Sequence, residues 1–229
     1  INTTFPSSTN VALTSIAFMN NPIEHGLRGY YMYDKSQYGL INALNWNENN
    51  KNLLLNDFFQ KQNSIWQIFK EQKIYASNFQ PKNLVGSPLS NFLYNLSSTI
   101  PYDDEQSLID LLSESTILEN RFNFIYYPQI DIAAHVFGVN SEEWQLEIDK
   151  FEKLVDKIAN ISNKRTKTII SADHGLMNIN EECRHNLNYG DDIQIYGDQR
   201  SVYINGSKAS VLETFSEVPG VLLEQHELS

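Results

Sequence analysis

Two acidic–histidine pairs carry the clearest chemistry in this chain. The first is Asp131-Ile132-Ala133-Ala134-His135, in which the carboxylate and the imidazole are four residues apart. On a helix they would stack one turn apart on one face. The second is Asp173-His174-Gly175, with adjacent groups suited to a tight turn. Carboxylate and imidazole together suit zinc, manganese or iron. A third feature is the hydroxyl-rich turn Phe5-Pro6-Ser7-Ser8-Thr9-Asn10, which leads into an apolar stretch. A Ser or Thr there serves as an N-cap, or as a nucleophile where helix N–H groups hold an anion. A threonine hydroxyl needs a base or a metal to activate it. His25, His185 and His226 read as structural, and His25, just before Gly26, reads as satisfying carbonyls and the dipole at a helix end.

Sites of this kind need strands and helices to position them. Residues 10–19 carry a helix-compatible apolar face, and 64–72 read as a helix capped by Ser64. Lys73–Ser77 reads as a short strand and 105–119 as an amphipathic helix. Phe122–Tyr127 is a buried strand that ends at Pro128. The periodicity predicts a helix over 141–161, with Asn140 and Glu143 as its capping box. Thr166–Ser171 and Arg200–Asn205 read as strands, Lys208–Val218 as a helix, and the Asn-rich run Asn45–Asn50 as a surface loop. Strand–helix–strand alternation predicts an α/β fold with a mostly parallel central sheet and helices on both faces. Both Asp-His pairs then fall at C-terminal strand ends, where such sheets place their sites.

The chain has 229 residues, 41% hydrophobic and 20% charged, enough for one domain with a sizeable core. A single domain over residues 1–229 is expected. The formal net charge of -11 argues against a nucleic-acid duplex or an anionic membrane surface as partner, because phosphate affinity comes largely from Lys and Arg. A phosphorylated ligand would have to be met by metal ions instead. The lone Cys183 permits no internal disulfide and fits a reducing compartment, so a cytoplasmic location is expected. No apolar run approaches the length of a spanning helix.

Four segments together resemble the alkaline phosphatase superfamily, and within it the type I phosphodiesterase/nucleotide pyrophosphatase group. They are Phe5–Thr9 with Ala12–Ser15, Pro22–Leu27 with Gly29-Tyr30, Tyr127–Asp131 through His135 to Gly138, and Ser171–Leu176. Shorter echoes occur at Leu84–Ser87 and Gly197–Arg200. The resemblance implies an alkaline phosphatase-like domain with two divalent ions, zinc foremost. It puts the nucleophile at Thr9, since Thr4 in Thr4-Phe5-Pro6 lies five residues too far from His25-Gly26 and is kept only as a fallback. It further implies that Asp131 and His135 hold one ion, and that Asp173 and His174 hold the other together with the Thr9 oxygen.

The reaction so implied is attack by Thr9 on a small phosphorylated substrate, a phospho-threonine intermediate, and hydrolysis by water. A phosphodiester or nucleotide pyrophosphate is the first expectation. A phosphomonoester, a phosphonate or sulfate ester, a phosphomutase reaction, or a non-catalytic relative are the alternatives. The family's phosphoryl-binding Asn position falls on Tyr30, and its base-stacking aromatic position falls on Asn10. The family also takes one metal Asp from a strand before the nucleophile and one His from a late His-Gly loop. Neither occurs here, so the domain is expected to be incomplete at both ends.

Overall fold

The computed structural model describes residues 3–34, 39–44, 63–116, 120–199, 201–224 and 227. The Asn45–Asn50 loop, Ile117 and Leu118, Arg200 and His226 lie outside the described residues.

A parallel three-stranded sheet forms the centre. It orders β4 (Ser98–Tyr102), β3 (Tyr75–Pro81) and β5 (Arg121–Ile125), with Phe79 opposite Ile100 on one side and Ile125 on the other. Alternate strand residues point to opposite faces, and the chain uses both. Ala76, Phe122 and Phe124 pack with Trp66, Leu89, Phe92 and Leu93, which come from α3 (Ile65–Glu71) and α4 (Pro88–Leu93). Leu13, Ala17 and Phe18 of α1 (Thr9–Phe18) complete that layer. On the other face Phe79, Ile100 and Ile125 pack with Leu108, Ile109 and Leu112 of α5 (Glu105–Thr116). Leu154, Phe151 and Ile158 of α7 (Glu142–Ile161) join them. The expected α/β fold, a parallel sheet with helices on both faces, is present.

A second, antiparallel sheet stands beside the expected one. Its order is β2 (Gly39–Asn42), β1 (Tyr31–Asp34), β6 (Gln194–Asp198), β7 (Ser201–Asn205). Of these strands only β7 matches an expected segment. The remaining elements are α2 (Pro22–His25), α6 (Gln129–Phe137) and α8 (Lys208–Phe215).

Three local readings change. Thr166–Ser171 is exposed irregular chain and pairs with no strand, leaving Ile169 78% and Ile170 56% exposed. β-branched residues favour a strand only where a sheet receives them, and here context overrides propensity. The cap of α7 is Ser141, whose side chain accepts from the Trp144 N–H, while Asn140 takes a positive φ of 69°. The short strand expected at Lys73–Ser77 starts at Tyr75 and runs on to Pro81, because Lys73 has a φ of 58° that no strand accommodates.

Candidate active site

The site forms where the start of α1, the helix α6 and the segment after α7 meet. Ser8 is the N-cap of α1, but its side chain makes no capping hydrogen bond. Its hydroxyl instead lies 3.0 Å from Asn10 Oδ1 and 3.1 Å from Asp198 Oδ2. The first-turn N–H groups of a helix have no intrahelical partner, so this helix start can meet an anion. Thr9, half-buried, is the first residue of that turn.

Thr9 Oγ1 is 2.8 Å from His174 Nε2. His174 Nδ1 lies 3.1 Å from the Gly175 carbonyl, which can only accept. That assignment puts the ring proton on Nδ1 and leaves the Nε2 lone pair facing Thr9. The Thr9 hydroxyl therefore donates to the imidazole. Asp173 Oδ1 accepts from the His174 backbone N–H at 3.0 Å, and the Thr3 hydroxyl donates to the Asp173 carbonyl. Thr4 stands apart, its hydroxyl donating to the Pro6 carbonyl.

Asp131 and His135 stack one turn apart on α6, as the spacing predicts, with 3.5 Å between Oδ1 and Nε2. Asp131 Oδ1 is also 4.0 Å from His174 Nε2, so the two pairs share one location. Burial holds the Asp131 carboxyl above the usual carboxylate range, against the opposite pull of His135 and His174. The His174 side chain is 9% exposed and that of His135 is 65% exposed.

The donor set can be tested against a divalent cation. Asp131 Oδ1 is buried without a hydrogen-bond partner, between two imidazoles. That orphaned oxygen, with N and O donors around it, fits a cation in kind. Among the described residues, no three His, Cys, Asp or Glu side chains are grouped so as to hold one ion. Each pair thus offers two side-chain ligands.

The other expected positions fall differently. Asn10 is fully enclosed and its amide donates to the Gly29 carbonyl at 2.8 Å. Tyr30 is exposed, and its backbone N–H donates to Asp198 Oδ1 at 2.7 Å. His25 is structural but not by the expected contact. It is fully enclosed, Nε2 lies 2.8 Å from Ser15 Oγ, and Nδ1 accepts from the Leu27 N–H. Burial pushes its pKa down to about 4, so it is neutral and lends no charge to a helix dipole. His185 sits exposed in a polar loop.

Sequence reasoning missed Tyr126 and Asp198. The Tyr126 hydroxyl lies beside Thr9, and burial, then the charges of Asp173 and Asp131, push its pKa up. Nothing in the aromatic run Phe122–Tyr127 separates Tyr126 from core residues. Asp198 had one signal, the Gly197–Arg200 echo of the family pattern.

The family model for type I phosphodiesterase/nucleotide pyrophosphatase matches residues 1–212. The chain belongs to that family. Among solved structures it is similar to murine ectonucleotide pyrophosphatase/phosphodiesterase 5, with a TM-score of 0.67 and 13% identity. That match covers 97% of this chain and 61% of the murine one. An inactive form of the same murine protein in complex with AMP matches with a TM-score of 0.58 and 13% identity, over 92% of this chain and 57% of that one. The chain therefore spans about three-fifths of the length of these structures. No curated protein sequence matches it. Among the described residues no helix is long and apolar enough to cross a membrane.

Proposed function

We propose that this chain is the catalytic domain of a phosphoric ester hydrolase that uses Thr9 as nucleophile, on a phosphodiester or nucleotide pyrophosphate first. The observation that carries this reading is the Thr9 Oγ1–His174 Nε2 contact of 2.8 Å at the open start of α1. Family membership supports the reaction class, and the similarity to a structure holding AMP supports a nucleotide as the substrate class.

His174 Nε2 takes the hydrogen bond of the Thr9 hydroxyl and so orients its oxygen lone pairs outward. Thr9 Oγ attacks phosphorus in line as its proton passes to His174 Nε2. The bond from phosphorus to the leaving oxygen breaks, and that oxygen departs with the electron pair. Water then attacks the phosphorus of the phospho-threonine and returns the Thr9 hydroxyl. The amides of the first turn of α1 hold phosphoryl oxygens. Asn10 fixes the backbone beside Thr9, and exposed Tyr30 is the side chain available to substrate. Asp131 and His135 would hold one divalent ion, zinc foremost, and Asp173 and His174 the other. Such ions would supply the positive charge that this acidic chain lacks and would favour loss of the Thr9 proton.

One observation favours a second reading, a non-catalytic member that keeps the fold. It is that no three ligating side chains group together among the described residues. Metal analysis with turnover separates the two. Two divalent ions per chain are expected, with hydrolysis of bis-p-nitrophenyl phosphate lost on chelation and restored by zinc. A metal-free chain without turnover supports the second reading. Faster turnover of a monoester than of a diester moves the substrate to the monoester class.

A further inference from the structure

The residues on either side of Thr9 are held by a clamp built from side chains outside the Asp-His pairs. Asp198 closes β6 and reaches back to the opening of the chain. Its Oδ2 lies 3.1 Å from Ser8 Oγ, and its Oδ1 accepts from the Tyr30 N–H at 2.7 Å. Ser8 has one hydroxyl proton and two acceptors in range, Asp198 Oδ2 and Asn10 Oδ1 at 3.0 Å. Asn10, fully enclosed, donates to the Gly29 carbonyl at 2.8 Å. Ser8 and Asn10 are thus both tied down. The side chain between them is left to face His174.

The reach of Asp198 depends on two glycines. A Cβ on Gly29 would lie 2.7 Å from Gly197 Cα and 2.8 Å from its carbonyl carbon. Gly197 has a φ of +100°, and a Cβ there would lie 2.5 Å from the Ser201 carbonyl oxygen. Two backbones meet at a separation that side chains forbid. Only that approach brings the antiparallel sheet close enough for its carboxylate to bond the turn before α1. The Ser8 hydroxyl, held by Asp198 and Asn10, is also the one that does not cap the helix. The clamp therefore fixes Thr9 and leaves the first-turn amides open to an anion.

We propose that Asp198 is a positioning residue for the nucleophile, holding Ser8 and Tyr30 so that the Thr9 hydroxyl stays seated on His174. This rests on the reading of Thr9 as nucleophile. A carboxylate present only for stability would predict that its loss lowers the melting temperature and leaves the Thr9–His174 bond intact in the folded chain.

The test compares wild type, Asp198→Ala, Asp198→Asn, Ser8→Ala and Thr9→Ala in the full chain. The 15N shift of His174 Nε2 reads the hydrogen bond without needing turnover. Asp198→Ala is expected to move that shift toward its value in Thr9→Ala, and Asp198→Asn, which keeps the acceptor for Tyr30, to restore it. With bis-p-nitrophenyl phosphate, Asp198→Ala is expected to lower kcat by roughly 10–100-fold with KM within about twofold, the range seen when supporting contacts are removed. Should Asp198→Ala not fold, Ser8→Ala decides, with the same direction and a smaller loss. An unmoved His174 shift in the folded variants, or kcat unchanged while Thr9→Ala is inactive, overturns the positioning role alone. Full activity in Thr9→Ala overturns the nucleophile reading, and the His174 shift still decides whether Asp198 holds the bond.

Discussion

Asp131 and His135 stand on a helix set against the core, whereas Asp173 and His174 stand on a long irregular stretch. The first pair belongs to α6, which follows β5 directly and buries Ala133 and Ala134. The second pair lies between Ser162 and Ile193, where nearly every residue is exposed and regular structure is limited to one short 3-10 turn, Glu181–Cys183. Yet the His174 side chain is the more enclosed of the two imidazoles. Its enclosure comes from contacts with Thr9 and the two aspartates, not from a sheet. A helix positions its side chains by repeat geometry, and an irregular segment positions them only through the partners it touches.

That contrast can be broken most forcefully at the shared contact. Thr9→Ala is expected to lower diester hydrolysis by about 10^3-fold or more, as loss of a nucleophile does, with little change in melting temperature. Steady-state kinetics beside a thermal melt checks both. Next comes the packing contrast. Trp66 is 1% exposed, its Nε1 donates to the Leu93 carbonyl at 2.6 Å, and its ring packs on Phe122 and Phe124. Trp66→Ala is expected to cost about 3–5 kcal/mol in urea unfolding. Ile170→Ala, in the exposed segment, is expected to change it by less than about 0.5 kcal/mol. Amide exchange sharpens the same point, with β3 slow and residues 163–193 fast.

The smallest expected effect concerns pH. Neutral His25 has a pKa pushed down to about 4 from the ordinary 6.5. Above pH 6.5 both folded and unfolded forms are neutral, and His25 adds no pH dependence. Between 6.5 and 4 the unfolded chain takes a proton that the folded one refuses, so stability falls as pH falls. Urea midpoints across that window should decline more steeply in wild type than in His25→Gln.

The two regions also differ in how legible they were. Much of the parallel sheet and its helices carries its instructions locally, although β4 and α4 match no expected segment. Ser64 before Ile65-Trp66 announces a cap, and the apolar repeat from Trp144 to Ile161 announces a helix. The Asp131–His135 spacing needed only that helix to bring the pair together. The antiparallel sheet was opaque because β1 meets β6 across more than 150 residues, with a single paired position, Tyr31 with Gly197. Thr166–Ser171 misled for the opposite reason. Its residues suit a strand, but no neighbouring strand receives it. The meeting of Thr9 with His174 follows from neither segment alone. The resemblance joined them, as it marked Gly197-Asp198 without revealing the clamp.

In the proposed reaction Thr9 forms the covalent bond to phosphorus. Rapid acid quench of zinc-loaded protein turning over a phosphodiester, followed by peptide mass spectrometry, tests it most directly. Phosphate is expected on the peptide carrying Thr9, absent in Thr9→Ala. Turnover with Thr9 unmodified, or phosphate found on Thr4 instead, would contradict it.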